Sequence, residues 1–348
     1  MQWQKLTSLY ISYWSIQFGD FVRIASQCPN LSECLIRLSY VYAWFDDHNF
    51  DPPNHGPLNF TLPMLHNLTI VGTHNDDITV SDLFRRISAP ALTHLTWTRS
   101  ALAGEPWSFT PLSSIEDELL QSLRLFLSQL VTPLEELDLW LDPVSEEALV
   151  GILKCVLKLK RLSTGGFVQI GTLPRYGWQW DTSDGYPPNP IPYLFNDTIL
   201  LGLIPGRMPQ IDATYRSNAI QHKLTDVPYD LTCLCPQLEI ILYYSLAKFN
   251  PKDLLELFRS CTLSCGENGV AHLRYMSIFF PFSARPLGLC ETEEFELRTE
   301  LENLGRETGV WVNIEHASDV ADVRGGSDQG ETKGAFSEQL LDHWGCFT

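Results

Sequence analysis

The sequence predicts an α/β solenoid, with parallel strands on a concave face and helices and loops on the convex face. Three observations carry that reading. Leu134, Leu137 and Leu139 stand at Leu-x-x-Leu-x-Leu spacing, so a short strand turns Leu137 and Leu139 inward on its period of two. A helical run from Ser145 to Leu157 follows, and the same phrase restarts 25 residues on, at Leu159 and Leu162. Finally, one such unit cannot bury its own apolar face and needs stacked neighbours, and similar phrases recur along the chain. The pattern is that of an irregular leucine-rich-repeat horseshoe.

Taken in order, the first phrase is Leu6, Leu9 and Ile11, with Asp20 placed to cap a short helix ending near Cys28. The chain begins inside a repeat, without the polar cap that protects an exposed core edge, and so reads as the remainder of a longer protein. Leu31, Cys34 and Ile36 form the second phrase, Leu65, Leu68 and Ile70 the third, and Leu92, Leu95 and Trp97 the fourth, after a short helix from Ser81 to Ile87. Residues 44–60, rich in Asp, Asn, Pro and His, read as an inserted loop. Pro29, Pro63, Pro90 and Pro133 come just before the first leucine of their phrases, at a strand entrance where a missing donor costs least.

Ser114 to Asp117 make a capping-box-like start. Leu119, Leu120, Leu123, Phe126, Leu127 and Leu130 then follow at helical spacing. Beyond Leu162 the pattern lapses, and residues 165–229 are expected to be an insertion of turn-forming chemistry in which a helix resumes from Asn196 through Ile204. Leu238, Ile241 and Tyr243 restore the phrase, and Asn250 and Pro251 open a helix through Cys261. Leu273, Met276 and Ile278 form the last phrase. An acidic helix from Glu291 to about Leu304 and a strand from Val310 to Ile314 close the solenoid, leaving 317–348 as a flexible tail. Residues 1–316 are thus one repeat domain. The widest gap between first leucines, 79 residues from Leu159 to Leu238, is about three units of roughly 20–29 residues, which predicts degenerate repeats hidden there.

Composition narrows the partners. The 348 residues carry 24 Lys and Arg against 42 Asp and Glu, a net charge of −18. That balance argues against nucleic acid and anionic membranes, whose binding rests on clustered cations. Residues 1–10 contain Lys5 and several polar groups where a signal peptide needs an unbroken apolar stretch, and no window approaches 18 apolar residues. The expected setting is intracellular, cytoplasmic or nuclear. Nine cysteines there read as reduced thiols. The four Asn-x-Ser/Thr matches, at Asn30, Asn59, Asn67 and Asn196, read as chance.

The phrases starting at Cys28, Pro133 and Cys235, the strand-helix unit Leu238 to Cys261 and the segment Val270 to Ile278 resemble the irregular leucine-rich repeats of fungal F-box proteins. The resemblance covers most of residues 1–316. It implies a ribonuclease-inhibitor-like solenoid that presents a protein substrate to a cullin ubiquitin ligase. The same resemblance implies a Skp1-type adaptor as partner only if an F-box lies upstream of Met1, since no Leu-Pro-x-Glu-Leu motif precedes Leu6. Two alternatives stay open: a repeat scaffold unrelated to ubiquitination, and an enzyme whose site is built from loops.

No residue pattern announces a reaction, so the protein is expected not to be an enzyme and to need no cofactor or metal. Cys233, Cys235, Cys261 and Cys265 could supply zinc thiolates, but their spacings are not those of the usual zinc pairs, and ordinary buried thiols explain them better. His66 and His94 hold similar places in consecutive phrases and could line neighbouring rungs. Gly165-Gly166 lacks the lysine and third glycine of a phosphate loop, and Asp46-Asp47 and Asp76-Asp77 read as solvated loop carboxylates. Trp140 and intervening strand residues such as Thr7, Thr69, Thr96 and Asp138 are expected on the concave sheet. Trp178, Trp180 and Asp181 are the loop residues most suited to a partner, because exposed tryptophans anchor interfaces. The competing reading folds both rings back over the solenoid edge. The expected partner is a protein, basic if it docks electrostatically.

Overall fold

The computed structural model describes residues 2–39, 59–72, 77–99, 114–140, 146–165, 195–204, 233–244, 247–248, 251–263, 270–280 and 291–316. A 3-10 turn (Trp3–Lys5) leads into β1 (Ser8–Gln17), α1 (Phe18–Ala25), β2 (Glu33–Ser39), β3 (Phe60–Thr61), β4 (Asn67–Gly72), α2 (Asp77–Arg86), β5 (Ile87–Ser88) and β6 (His94–Arg99). Then come α3 (Ser114–Ser128), β7 (Glu136–Trp140), α4 (Glu146–Leu153), β8 (Arg161–Gly165), β9 (Phe195–Asn196) and α5 (Asp197–Leu203). The last elements are β10 (Ile240–Tyr244), β11 (Ala247–Lys248), α6 (Pro251–Leu263), β12 (Tyr275–Phe280), α7 (Glu291–Thr308) and β13 (Trp311–His316).

Nine strands form one sheet in the order β1-β2-β4-β6-β7-β8-β10-β12-β13, and every neighbouring pair is parallel. Each strand therefore lies beside the next long strand in the chain. The helices pack in the same order, α2 on α3, α3 on α4, and so on to α7. Parallel neighbours need a crossover between them, and the helices that supply it share one core with the sheet. Two short parallel pairs, β3 with β5 and β9 with β11, form separate two-stranded sheets.

The alternation expected of the leucine phrases is present. Leu68, Leu95, Leu137, Leu162, Ile241 and Met276 stand in register on successive strands, and all are buried. Two positions on, Ile70, Trp97, Leu139, Thr164, Tyr243 and Ile278 form a second buried row. At the centre of the core Phe84 of α2 meets Trp97 edge-on at 5.6 Å and stacks on Phe126 of α3 at 5.4 Å. Within α3 Ser122 Oγ donates to the Glu118 carbonyl, and from α2 Arg85 Nε donates to Ser122 Oγ at 3.0 Å.

A repeated backbone device sets the register. One carbonyl just ahead of each of seven main-sheet strands accepts two N–H groups from the following unit: Thr7 from Ser32 and Glu33, Ser32 from His66 and Asn67, His66 from Thr93 and His94. The chain continues with Thr93 serving Glu135 and Glu136, Glu135 serving Lys160 and Arg161, Lys160 serving Glu239 and Ile240, and Glu239 serving Arg274 and Tyr275. Buried backbone groups must be paired, so a one-residue slip would break this ladder as well as flip the side chains.

Several expectations need correction. No strand stands between β8 and β10 where the 79-residue gap predicts hidden repeats, because the two pair directly from Ile240↔Arg161 to Tyr244↔Gly165; residues 166–194 and 205–232 lie outside the described residues. Sequence spacing measures chain length, and an insertion leaving the sheet adds length without adding a neighbour. The prolines answer to a turn: Leu31, Leu65, Leu92 and Leu238 each donate to the carbonyl three residues back, at Cys28, Leu62, Ala89 and Cys235. Pro29, Pro63, Pro90 and Pro236 thus sit second in four-residue turns, where their fixed φ is favoured. Asp20 does not cap α1, which starts at Phe18; it lies in the first turn and pairs with Arg23 at 2.8 Å. Helix α2 begins at Asp77, not Ser81, and α7 runs on to Thr308. Part of the loop expected at 44–60 is strand, since Phe60 pairs with Ile87; residues 40–58 and the tail 317–348 lie outside the described residues.

The end of α7 carries a testable consequence. Gly309 has a φ of +75° and closes the helix, with Val310 N donating to the Gly305 carbonyl at 3.0 Å. A Cβ on Gly305 would lie 2.7 Å from the Val310 carbonyl oxygen and 2.9 Å from Val312 Cγ2. In an unobstructed helix Gly→Ala stabilises by roughly 0.5–1 kcal/mol. Here overpacking of about 1–3 kcal/mol should win, so Gly305→Ala is expected to lower the urea midpoint and to speed amide exchange in β13. A raised midpoint would show that β13 yields without cost.

Candidate functional site

The helices cover one face of the sheet, and the side chains between the buried rows stand on the other. Register places Ser8, Glu33, Asn67, His94, Glu136, Arg161, Ile240, Tyr275 and Trp311 in a single line across all nine strands. The line is polar from β1 to β8 and apolar or aromatic from β10 to β13. Trp311 is 70% exposed, among the most exposed large apolar side chains described.

The polar half is a connected network. Glu136 of β7 takes an ion pair on each side, His94 Nε2 at 3.2 Å and Arg161 Nη1 at 3.0 Å. The bond to Glu136 holds the His94 pKa above its ordinary value, and the bond to His94 holds the Glu136 carboxyl below its own. One position earlier, at the strand entrances, Lys160 pairs with Glu135 at 2.9 Å and Arg274 with Glu239 at 3.3 Å. Water screens such exposed pairs, which add little to stability, so their role is to set the charge pattern rather than to hold the fold. At the β1 edge Tyr10 and Ser8 both donate to Glu33, and the bond to Glu33 raises the tyrosine pKa.

Beside this line runs a second, with Thr69, Thr96, Asp138 and Ser163 on β4, β6, β7 and β8. Asp138 was expected to be displayed; it is on this face, yet only 4% exposed. Strands lie about 4.8 Å apart, and so short a side chain stays down between Thr96 and Ser163. Thr96 donates to Asp138 Oδ2 at 3.1 Å, while Asp138 Oδ1 and Ser163 Oγ are buried without a well-formed hydrogen bond. Burial drives the Asp138 pKa up to about 6, against the opposing charge of Arg161 and the Thr96 bond. A carboxyl that titrates so near neutrality on a binding-type face is a functional candidate, and neither its burial nor its partners could be read from local spacing.

Of the other candidates, Trp140 ends β7 with its backbone between Thr98 and Gly165. Trp178, Trp180 and Asp181 lie outside the described residues. Thr7 is not in the Thr69 and Thr96 line, where Tyr10 takes the β1 place; it stands one step before the strand, in the position of Glu135. His66 and His94 lie on neighbouring units but out of register by one residue: His94 stands opposite Asn67, and His66 Nδ1 contacts the Met64 carbonyl at 2.6 Å. The offset is visible in the sequence, where His66 precedes Leu68 by two residues and His94 precedes Leu95 by one.

Cys34, Cys233 and Cys261 are buried, and desolvation pushes their thiols up to about 12, 11 and 12; Cys235 is raised further. Thiols so held stay protonated and make poor metal ligands. Among the described residues no group of His, Cys, Asp and Glu is arranged to hold a metal ion; Cys265 lies outside them. No helix among the described residues is long and apolar enough to cross a membrane.

The fold, and the sheet face that the described helices leave open, define an α/β protein with one long parallel sheet and a line of paired charges ending in aromatic residues. No protein-family model matches the chain, and no curated protein matches its sequence.

Proposed function

We propose that the chain is a leucine-rich-repeat solenoid whose concave sheet face recognises a protein, and that it serves as the substrate-recognition part of an F-box type ubiquitin-ligase adaptor. The observation that carries recognition is the register-aligned line from Ser8 to Trp311. It places Arg161, Tyr275 and Trp311, residue types enriched at interface hot spots, on one face of a rigid sheet. Extended curved faces of stacked repeats suit large protein partners. The ubiquitin connection rests on the phrase resemblance alone.

Affinity capture with the full-length gene product tests both parts. The exposed Trp311→Ala variant should fold as the wild type does and retain a captured substrate roughly tenfold less well. Recovery of the same partners at wild-type yield by Trp311→Ala, combined with Tyr275→Ala, would remove this face from the proposal. Copurification of a Skp1-type adaptor supports the ligase role; its absence from full-length preparations that still bind a substrate would reduce the protein to a recognition scaffold.

A further inference from the structure

Resting on that recognition reading, we infer that the face between β7 and β13 binds an extended, solvent-exposed segment of its partner that carries a lysine or arginine about six residues from a bulky apolar side chain. The inference comes from two unlike ends of one line. At β7 and β8, Glu136 and Asp138 stand against the single guanidinium of Arg161, with His94 as the only other cation-forming group in line. Asp138 Oδ1 and Ser163 Oγ, both buried, make no well-formed hydrogen bond, although the two side chains are close enough for Ser163 to lower the Asp138 pKa. The half-exposed Glu136 carboxylate is the reachable part of this cluster. With His94 uncharged, Arg161 alone faces the two carboxylates, and a cation beside Glu136 supplies the balance, in keeping with a chain of net charge −18. At the other end Ile240, Tyr275 and the exposed Trp311 present apolar surface with no charge in the line.

The spacing follows from the sheet. Between Glu136 and Trp311 lie four strand-to-strand steps, β7-β8-β10-β12-β13, or about 19 Å at about 4.8 Å per step. An extended chain advances about 3.3 Å per residue, so a segment crossing the strands puts its two anchors about six residues apart. A partner that approaches as a helix would rise only about 1.5 Å per residue and require roughly twice that separation.

The experiment is fluorescence anisotropy of the full-length protein with synthetic peptides holding one lysine and one tryptophan, separated by two to fourteen proline residues, a semi-rigid extended spacer of about 3.1 Å per residue. The expected result is tightest binding near a separation of six, roughly tenfold better than at two or fourteen, weakening as salt rises. Glu136→Gln should cost several-fold with these peptides and little with a lysine-to-norleucine control, whereas Trp311→Ala should weaken both. A flat dependence on separation, or Glu136→Gln binding as the wild type does, overturns the inference. Should that happen while a captured partner still depends on Trp311, the recognition reading stands and only the two-anchor segment falls; if Trp311→Ala alters neither, both fall. Tighter binding by an Ala/Glu/Lys-rich helical peptide with its lysine and tryptophan about twelve residues apart than by any member of the proline series also overturns it, in favour of a helical occupant.

Discussion

Trp97→Ala is expected to lower the free energy of unfolding by about 4 kcal/mol, the largest effect of any single truncation in the described core. Trp97 sits at mid-sheet on β6 and is 1% exposed. Its ring stands edge-on to Phe84, which stacks on Phe126, so three elements meet through one aromatic column. Removing the indole takes away its transfer free energy and leaves a cavity that the flanking backbone ladder prevents from closing. Trp97→Phe should restore a large part of the loss by filling most of the space. Urea unfolding followed by circular dichroism measures both variants. Because β6 pairs with β4 and β7, amide exchange should accelerate first in β4, β6 and β7, leaving β12 and β13 closer to wild type. A loss under about 1 kcal/mol would mean that this column is not a principal packing contact.

Asp138→Asn is expected to stabilise the protein near neutral pH. The folded pKa of Asp138 is about 6, and an unfolded aspartate titrates near 3.9. Between those values the folded state binds more protons than the unfolded state, so this group makes the protein more stable as pH falls through 6 towards 4. The charge cost fully present above pH 6 corresponds to roughly 2–3 kcal/mol. Asparagine keeps an acceptor for Thr96 and offers an amide donor to Ser163, without the charge. Its advantage should therefore be about that size at pH 7.5 and vanish near pH 4.

Two neighbours shape the same profile. His94, with its raised pKa, contributes stability that is complete below about 6.5 and is lost as pH rises through the folded value. Glu136, with its lowered pKa, contributes stability present above its unfolded value and lost as pH falls through the folded one. The wild type should accordingly be most stable at about pH 5. Urea midpoints at several pH values would show it. A pH-independent difference between Asp138→Asn and wild type would mean that Asp138 does not titrate in this range.

The sequence by itself determined the α/β class, the order of the long strands and the helices, and which leucine positions are buried. Leu137 and Leu139 are core residues because a strand alternates every two residues, and Leu119 to Leu127 because a helix repeats every 3.6. These periods are local, so they survive without knowledge of any neighbour. Thr7, the prolines and Asp20 were assigned reasons that fail at the level of one or two residues, where turn geometry and helix starts depend on hydrogen bonds that composition does not display. What the tertiary structure alone decided is who meets whom. His94, Glu136 and Arg161 are 42 and 25 residues apart, and nothing in their local surroundings pairs them; they meet because the carbonyls of Thr93 and Glu135 lock the strands in register. The burial of Asp138 and the direct contact of β8 with β10 across a long insertion have the same origin. Core positions answer to the period of one strand, whereas a surface site answers to the alignment of several, which only inter-strand hydrogen bonding sets.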